Sequence, residues 1–333
     1  MRWLNRLLLG VGVTLLGILV WKLGPRVVVE RLSLLGWLWV PLILVEGLGE
    51  AMHTTAWRRC LARRHQGLGW LRVGMIRQAG MAFNYFTPTA HMGGEVVKGM
   101  LLGGLGDGVS AATSVIVGKL ALVVSQLLFV SGGSLVALCL VRIPSAVFWA
   151  WALSTALFFV GVGAFFWLQM RGNLGAVARA LEQRGLGGDP VRRLSRWLSS
   201  VDQHLEAFHR DRPGDLLRAM VWHMAGFSCG IIQVWIFLAS TQQPSLWVNG
   251  AIIWFLGAWL DLVGFIVPAG MGVQEGSRAL IFELMGLAGA SGLALGLVLR
   301  GTKGFWAVIG LGCYLFMLRK RSTDCPELPM DGR

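Results

Sequence analysis

Glu95 and Lys98 stand three residues apart, and so do Glu275 and Arg278. On a helix that spacing puts carboxylate and cation on one face. Each pair follows a run broken by proline and glycine: Pro88-Thr-Ala-His-Met-Gly93-Gly94-Glu95 and Pro268-Ala-Gly270-Met-Gly272-Val-Gln-Glu275. The two glutamates lie 180 residues apart; in both copies Pro precedes Glu by seven residues, and Gly106 and Gly286 follow it by eleven. A further cation comes later, Lys119 in one copy and Arg300 in the other, one register apart. This chemistry binds charge and breaks no bond. A glycine-rich turn that opens a helix leaves N–H groups free, and its positive end favours an anion. Lys98, Lys119, Arg278 and Arg300 would add to that attraction. Asn84 and Tyr85, just before Thr87-Pro88, would line the first break, and Asp261 lies in the apolar run before the second.

Catalytic patterns are poorly supported. The chain has no GxSxG, HExxH or Walker motif and no metal-ligand cluster, so no cofactor or metal is implied and no catalytic residue is assigned. His91 and Glu95, at i and i+4, carry an enzyme alternative as an acid–base pair. Glu46 and Glu50 lie one turn apart, with His53 three residues on. They read either as partners of arginines, as near-interface residues, or as functional groups. His223 reads as structural. Cys60, Cys139, Cys229, Cys313 and Cys325 show no CxxC spacing and read as small apolar fillers.

The surrounding sequence is that of a membrane. Of 333 residues, 55% are hydrophobic and 14% charged, against about 25% charge in a soluble domain. The net charge of +13 sits between apolar spans and not on a polar domain, so a nucleic-acid partner is excluded in favour of the positive-inside rule. The apolar runs are Leu7–Trp21, Leu32–Trp57, Val73–Phe86, Val109–Val141, Ile143–Met170, Ala219–Ser240, Leu246–Val267 and Leu284–Leu318. The first follows Arg2 and Arg6 without a cleavage site, so it reads as an uncleaved helix. Trp57–Arg72, Arg171–Arg218 and Arg319–Arg321 are rich in cations and read as cytoplasmic. Both termini then face the cytoplasm of a bacterial inner membrane.

The expected fold is an all-α polytopic membrane protein. It has about six to eight transmembrane helices and two re-entrant broken-helix elements in an inverted repeat. Residues 1–321 form a single membrane domain, with repeat halves at about 73–141 and 246–318. A cytoplasmic connector spans 171–218, where Leu194, Leu198, Val201, Leu205 and Phe208 mark a surface amphipathic helix. Residues 322–333 form a polar tail. At 33 residues, Val109–Val141 is long for one span, and one helix or two remain open.

Asn84, Thr87-Pro88, Gly93-Gly94-Glu95, Lys98, Pro268 to Glu275 and Arg300 together resemble the flippase-like family, also called the lysylphosphatidylglycerol synthase transmembrane-region family. The resemblance covers roughly residues 5–318. The run FNYFTPTAHMGGEVVKG is most similar to the hopanoid-biosynthesis-associated HpnL branch. The second motif is shorter than the family's usual form and lacks its glycine pair. Larger members carry a soluble aminoacyl-transferring domain; this chain stops shortly after Arg321, so that activity is not expected. The resemblance implies movement of a lipid or lipid-linked product between leaflets. The substrate would be a membrane lipid with an anionic or polar headgroup, a hopanoid or phospholipid among the candidates, and lipid-synthesis enzymes would be partners. The alternatives are an intramembrane lipid-modifying enzyme and a scaffold acting through Arg171–Arg218.

Overall fold

A computed structural model describes residues 35–86, 93–105, 107–141, 145–170, 213–240, 247–263 and 272–324, with isolated positions in 21–33 and most of 199–212. The described residues form no strand. After a 3-10 turn at Gly36–Leu38 come α1 (Trp39–Arg59), a second turn at Arg63–His65, α2 (Trp70–Phe86), α3 (Gly93–Gly103), α4 (Gly108–Leu140) and α5 (Ser145–Met170). Then follow α6 (Pro213–Ser240), α7 (Trp247–Val263), α8 (Val273–Leu284) and α9 (Gly289–Asp324). The 33-residue run that sequence left open is one helix, α4.

Three helices hold stretches long and apolar enough to cross a bilayer, Gly108–Leu140, Gly214–Ser240 and Gly289–Arg319. Shorter apolar stretches lie in α5 and α7. Large apolar side chains such as Trp149, Leu153, Leu157 and Val160 point outward. This is a helical multi-pass membrane protein. Helices α3 and α8 have 11 and 12 residues. At about 1.5 Å per residue they reach ~17 Å, well short of a ~30 Å hydrocarbon core.

Apart from α5, the described helices fall into two sets of four, α1–α4 and α6–α9. α2 and α7 are both 17 residues long. Asn84 of α2 and Asp261 of α7 are each the fifteenth residue of their helix. Glu95 and Glu275 are each third in α3 and α8, and Lys98 and Arg278 each sixth. Lys119 and Arg300 are each twelfth in α4 and α9, and their one-residue offset comes from α8 being one residue longer than α3. The packing repeats as well. α1 lies on α6; α2 packs on α9 as α7 packs on α4; α3 packs on α2 and α4 as α8 packs on α7 and α9. The repeating unit thus begins at α1 and α6, which lack the Pro–Gly–Glu motif.

α1 and α6 run antiparallel. Leu42 O accepts from Gln233 Nε2 at 3.0 Å, Gly49 faces Gly226, and His53 meets His223. Equivalent helices that run antiparallel must be related by an axis across them, which inverts one half relative to the other. The approach is close because both positions are glycine: a Cβ on Gly49 would stand 3.2 Å from Gly226 O. Arg212 fixes one end of this pair. Its guanidinium donates to Leu61 O at 3.0 Å and to Arg59 O at 3.4 Å, capping the cation-favouring end of α1, and it pairs with Asp215.

Two apolar cores result. One joins the latter part of α1 to α2, α3 and the start of α4, around Trp57, Ile76, Leu102 and Ala121. The other joins the start of α1 to the latter parts of α4 and α6, with α7, α8 and the first half of α9, around Leu42, Val130, Phe237, Phe282 and Leu295. Between the cores, α1, α4 and α6 each cross a polar interval.

At the turn before α4, Asp107 accepts from Val109 N at 3.1 Å, from Ser110 N at 3.0 Å and from Ser110 Oγ at 2.8 Å. These donors, Ser110 foremost, hold its carboxyl below the usual carboxylate range. The stability it contributes is present above the ordinary Asp value of about 3.9 and is lost as pH falls through the lower folded value.

Two outcomes are expected. Gly49→Cys, with Cys229 the remaining cysteine, forms a disulfide under mild oxidation, because the Cβ atoms would lie 3.4 Å apart. Mass spectrometry of the linked peptides checks it, and absence of the link rules out the antiparallel register. Asp107→Ala costs about 1 kcal/mol at neutral pH, read by denaturation in detergent, and the gap from wild type narrows as the medium is acidified below about pH 4.

Candidate functional site

The polar interval is built from residues that a bilayer makes costly. On α1, Glu46, Gly49, Glu50 and His53 fall between Leu42 of one core and Ala56 of the other. On α6, Gly226, Gly230 and Gln233 fall between Ala219 and Val234. They enclose a cavity of about 230 Å³. Arg77 of α2, Gln126 of α4, Asp261 of α7, Arg278 of α8 and Lys303 of α9 also reach its wall. Three acids and three permanent cations line it, so its walls are charge-balanced.

Most of these charges are neutralised locally. Glu50, buried, takes the Arg77 guanidinium, which also donates to Glu50 O at 3.3 Å. Gln78 Nε2 donates to the same carboxylate at 2.9 Å. Arg278 forms a two-pronged pair with Asp261, Nη2 to Oδ2 being 2.6 Å, and donates to Gln274 O at 3.1 Å. His53 and His223 meet across α1 and α6 with their Nδ1 atoms 2.8 Å apart, so one ring must donate and the other accept. His223, expected as structural, thus lies beside the cavity that His53 lines.

Arg278 apart, the motif residues sit one layer out. Lys98 Nζ lies 3.0 Å from Glu95 Oε2 and 5.8 Å from the centre of the Trp57 ring, and Lys119 lies 3.5 Å from Glu95. Glu275 is fully buried; it pairs with Arg300 and accepts from Gly272 N at 2.9 Å. The Gly272 backbone has φ 76°, a conformation that favours glycine. Gly94 N donates to Asn84 Oδ1 at 2.7 Å. The N–H groups at Gly94 and Gly272, which sequence alone leaves open for an anion, are therefore occupied by Asn84 and Glu275. Thr87, Pro88, His91, Gly106, Pro268 and Gly270 lie outside the described residues, as does most of the 171–218 connector.

Arg278 turns to Asp261 and not to Glu275, although i,i+3 spacing would permit Glu275. The cause is a single exchange between the halves. α2 carries Asn84 where α7 carries Asp261. Asparagine cannot neutralise a cation, so Lys98 and Lys119 share Glu95. Aspartate can, which leaves Glu275 to Arg300 and its own helix start. Glycine makes room in both halves. A Cβ on Gly80 would strike the Lys98 stem, and one on Gly257 would come within 3.3–3.5 Å of the Arg278 guanidinium. Both glycines are the eleventh residue of their helix.

Of the residues expected from sequence, Asp261 and Arg278 line the cavity, while Glu95, Lys98, Lys119, Glu275 and Arg300 buttress the helices around it. Arg77, Gln126, Gln233 and Lys303 were not among the expected site residues. Arg77 and Lys303 carried a usable signal, since each is a cation inside an apolar run. A separate apolar groove of about 310 Å³ lies between α4 and α7, lined by Gly133, Ala137, Leu140, Val248, Ile252 and Phe255.

Residues 5–312 match the family described as the lysylphosphatidylglycerol synthase TM region. The chain belongs to this family. No curated protein and no solved structure matches it. In this family member the sequence motifs hold α3 and α8 against α2 and α7, and the cavity lies at the centre of that frame.

Removing one partner of a buried ion pair leaves the other uncompensated, at a cost of about 3–5 kcal/mol. Asp261→Leu is therefore expected to lower the apparent unfolding temperature sharply, and Asp261→Leu with Arg278→Met to recover most of it. Thermal unfolding of the purified protein in detergent reads both. A double variant no more stable than the single one would contradict the pairing.

Proposed function

We propose that this chain carries a lipid, or a lipid-linked product, between the leaflets of the bacterial inner membrane. The observation that carries the reading is the charge-lined cavity between two apolar cores, where antiparallel counterpart helices cross. Transporters built from inverted repeats use such a place for their substrate, near the bilayer midplane. Membership of the lysylphosphatidylglycerol synthase TM family supports a role in lipid handling. The apolar groove between α4 and α7 offers a path for a tail whose headgroup occupies the cavity. The arginine-rich turn after α1 and the cations at the end of α9 face the cytoplasm by the positive-inside rule. The sequence has no Walker motif, so the drive is a gradient or downhill movement. The hopanoid-associated resemblance places a hopanoid in the panel to be tested.

The test is translocation of tail-labelled lipids in proteoliposomes, beside an unrelated membrane protein. Wild type is expected to exceed that control. Glu50→Gln with Arg77→Met keeps the pair neutral but strips charge from the cavity, and should slow movement about tenfold or more, the scale of ~1.4 kcal/mol. Glu95→Gln and Glu275→Gln should also slow it, while a chain lacking the 171–198 segment should still transport. Wild type equal to control for every lipid would remove the reading. Loss on deleting the segment, with both glutamine variants silent, would favour the scaffold.

A further inference from the structure

Two of the six charges in the cavity wall have no ion-pair partner among the described residues. Glu50 has Arg77 and Asp261 has Arg278. Glu46 of α1 and Lys303 of α9 line the same cavity, and among the described residues neither forms an ion pair within 4 Å. The two are thus opposite charges in one cavity wall, more than 4 Å apart. Lys303 is exposed, while Glu46 is only partly so and sits beside Gln233. A carboxylate whose hydrogen bond comes from the neutral Gln233, and an ammonium with no carboxylate within reach, are both costly at membrane depth.

We infer that the cavity receives a zwitterionic headgroup, with its ammonium at Glu46 and its phosphate at Lys303. This rests on the transport reading above and names the substrate class of that site. The charge balance of the walls argues against the simpler alternatives. An anionic headgroup would satisfy Lys303 but approach an unpaired carboxylate at Glu46. A cationic headgroup would meet the reverse conflict. A headgroup carrying both charges relieves both residues at once, and the protein's own ion pairs add no net charge to bias it. The cations first expected to receive an anion, Lys98, Lys119, Arg278 and Arg300, are each held by a carboxylate.

The experiment begins with native mass spectrometry of the full chain from micelles holding equimolar phosphatidylethanolamine, phosphatidylglycerol and N-acetyl-phosphatidylethanolamine. The acetylated lipid lacks the ammonium at nearly the same size. Phosphatidylethanolamine is expected to be retained about tenfold over the other two, the scale of one partly buried charge-assisted hydrogen bond. Glu46→Gln should abolish the preference, Glu46→Asp should keep it, and Lys303→Met should weaken retention of all three. Equal retention of the three lipids by wild type, or an unchanged preference in Glu46→Gln, overturns the assignment. Displacement of the lipid by equimolar glycerophosphoethanolamine, the same headgroup without tails, would overturn it in favour of a soluble zwitterion. Translocation of tail-labelled forms of the same lipids then separates the two readings. Selective retention without movement above protein-free vesicles supports the headgroup site and removes transport. Movement without selective retention does the opposite.

Discussion

The close approach of α1 and α6 at Gly49 and Gly226 is the contact on which the rest of the fold depends. Among the described helices no pair packs more extensively than these two. A Cβ at Gly226 would strike the His53 ring and crowd the helices that carry Glu46, Glu50, His53, Gly230 and Gln233. In a bilayer there is no gain from hiding apolar surface from water, so small residues and tight packing must hold helices together. The same logic recurs where Gly133 admits Phe255 and where Gly310 lies against the Gln78 carbonyl.

A polar layer held this way needs its charges settled, and the structure settles most of them by short local pairs. Glu50, Asp261, Glu95 and Glu275 each hold a cation from a neighbouring helix. Such pairs add little net stability over apolar packing, but breaking one is expensive. Their value lies in register. Glu275 joins α8 to α9 and Asp261 joins α7 to α8, so the half-length helices, too short to anchor themselves, are fixed by charge.

The sequence displayed much of this. Apolar runs gave the spans, and the paired Pro–Gly–Glu motifs located α3 and α8. The motif could not show that α1 and α6 are counterparts, because what they share is a glycine at one crossing point and no pattern along the chain. Nor could it show the cavity wall. Arg77 and Lys303 look like isolated cations in sequence, and only packing brings them together with Glu46 and Glu50 from a helix that lacks the motif. The partner of Arg278 was equally hidden. Three-residue spacing points to Glu275, whereas the partner chosen lies 17 residues away on α7.

The scaffold repeats, but the cavity wall does not. Arg77 and Trp254 are each eighth in α2 and α7, and Lys303 and Leu122 each fifteenth in α9 and α4. An antiparallel homodimer of one half could not build this site: each arginine would appear twice, and no tryptophan would face it from the equivalent place. Joining both halves in one polypeptide frees each wall to change alone. A substitution that adds charge on one side need not be mirrored on the other, so binding preference can drift from one member to the next while the frame that holds it stays put.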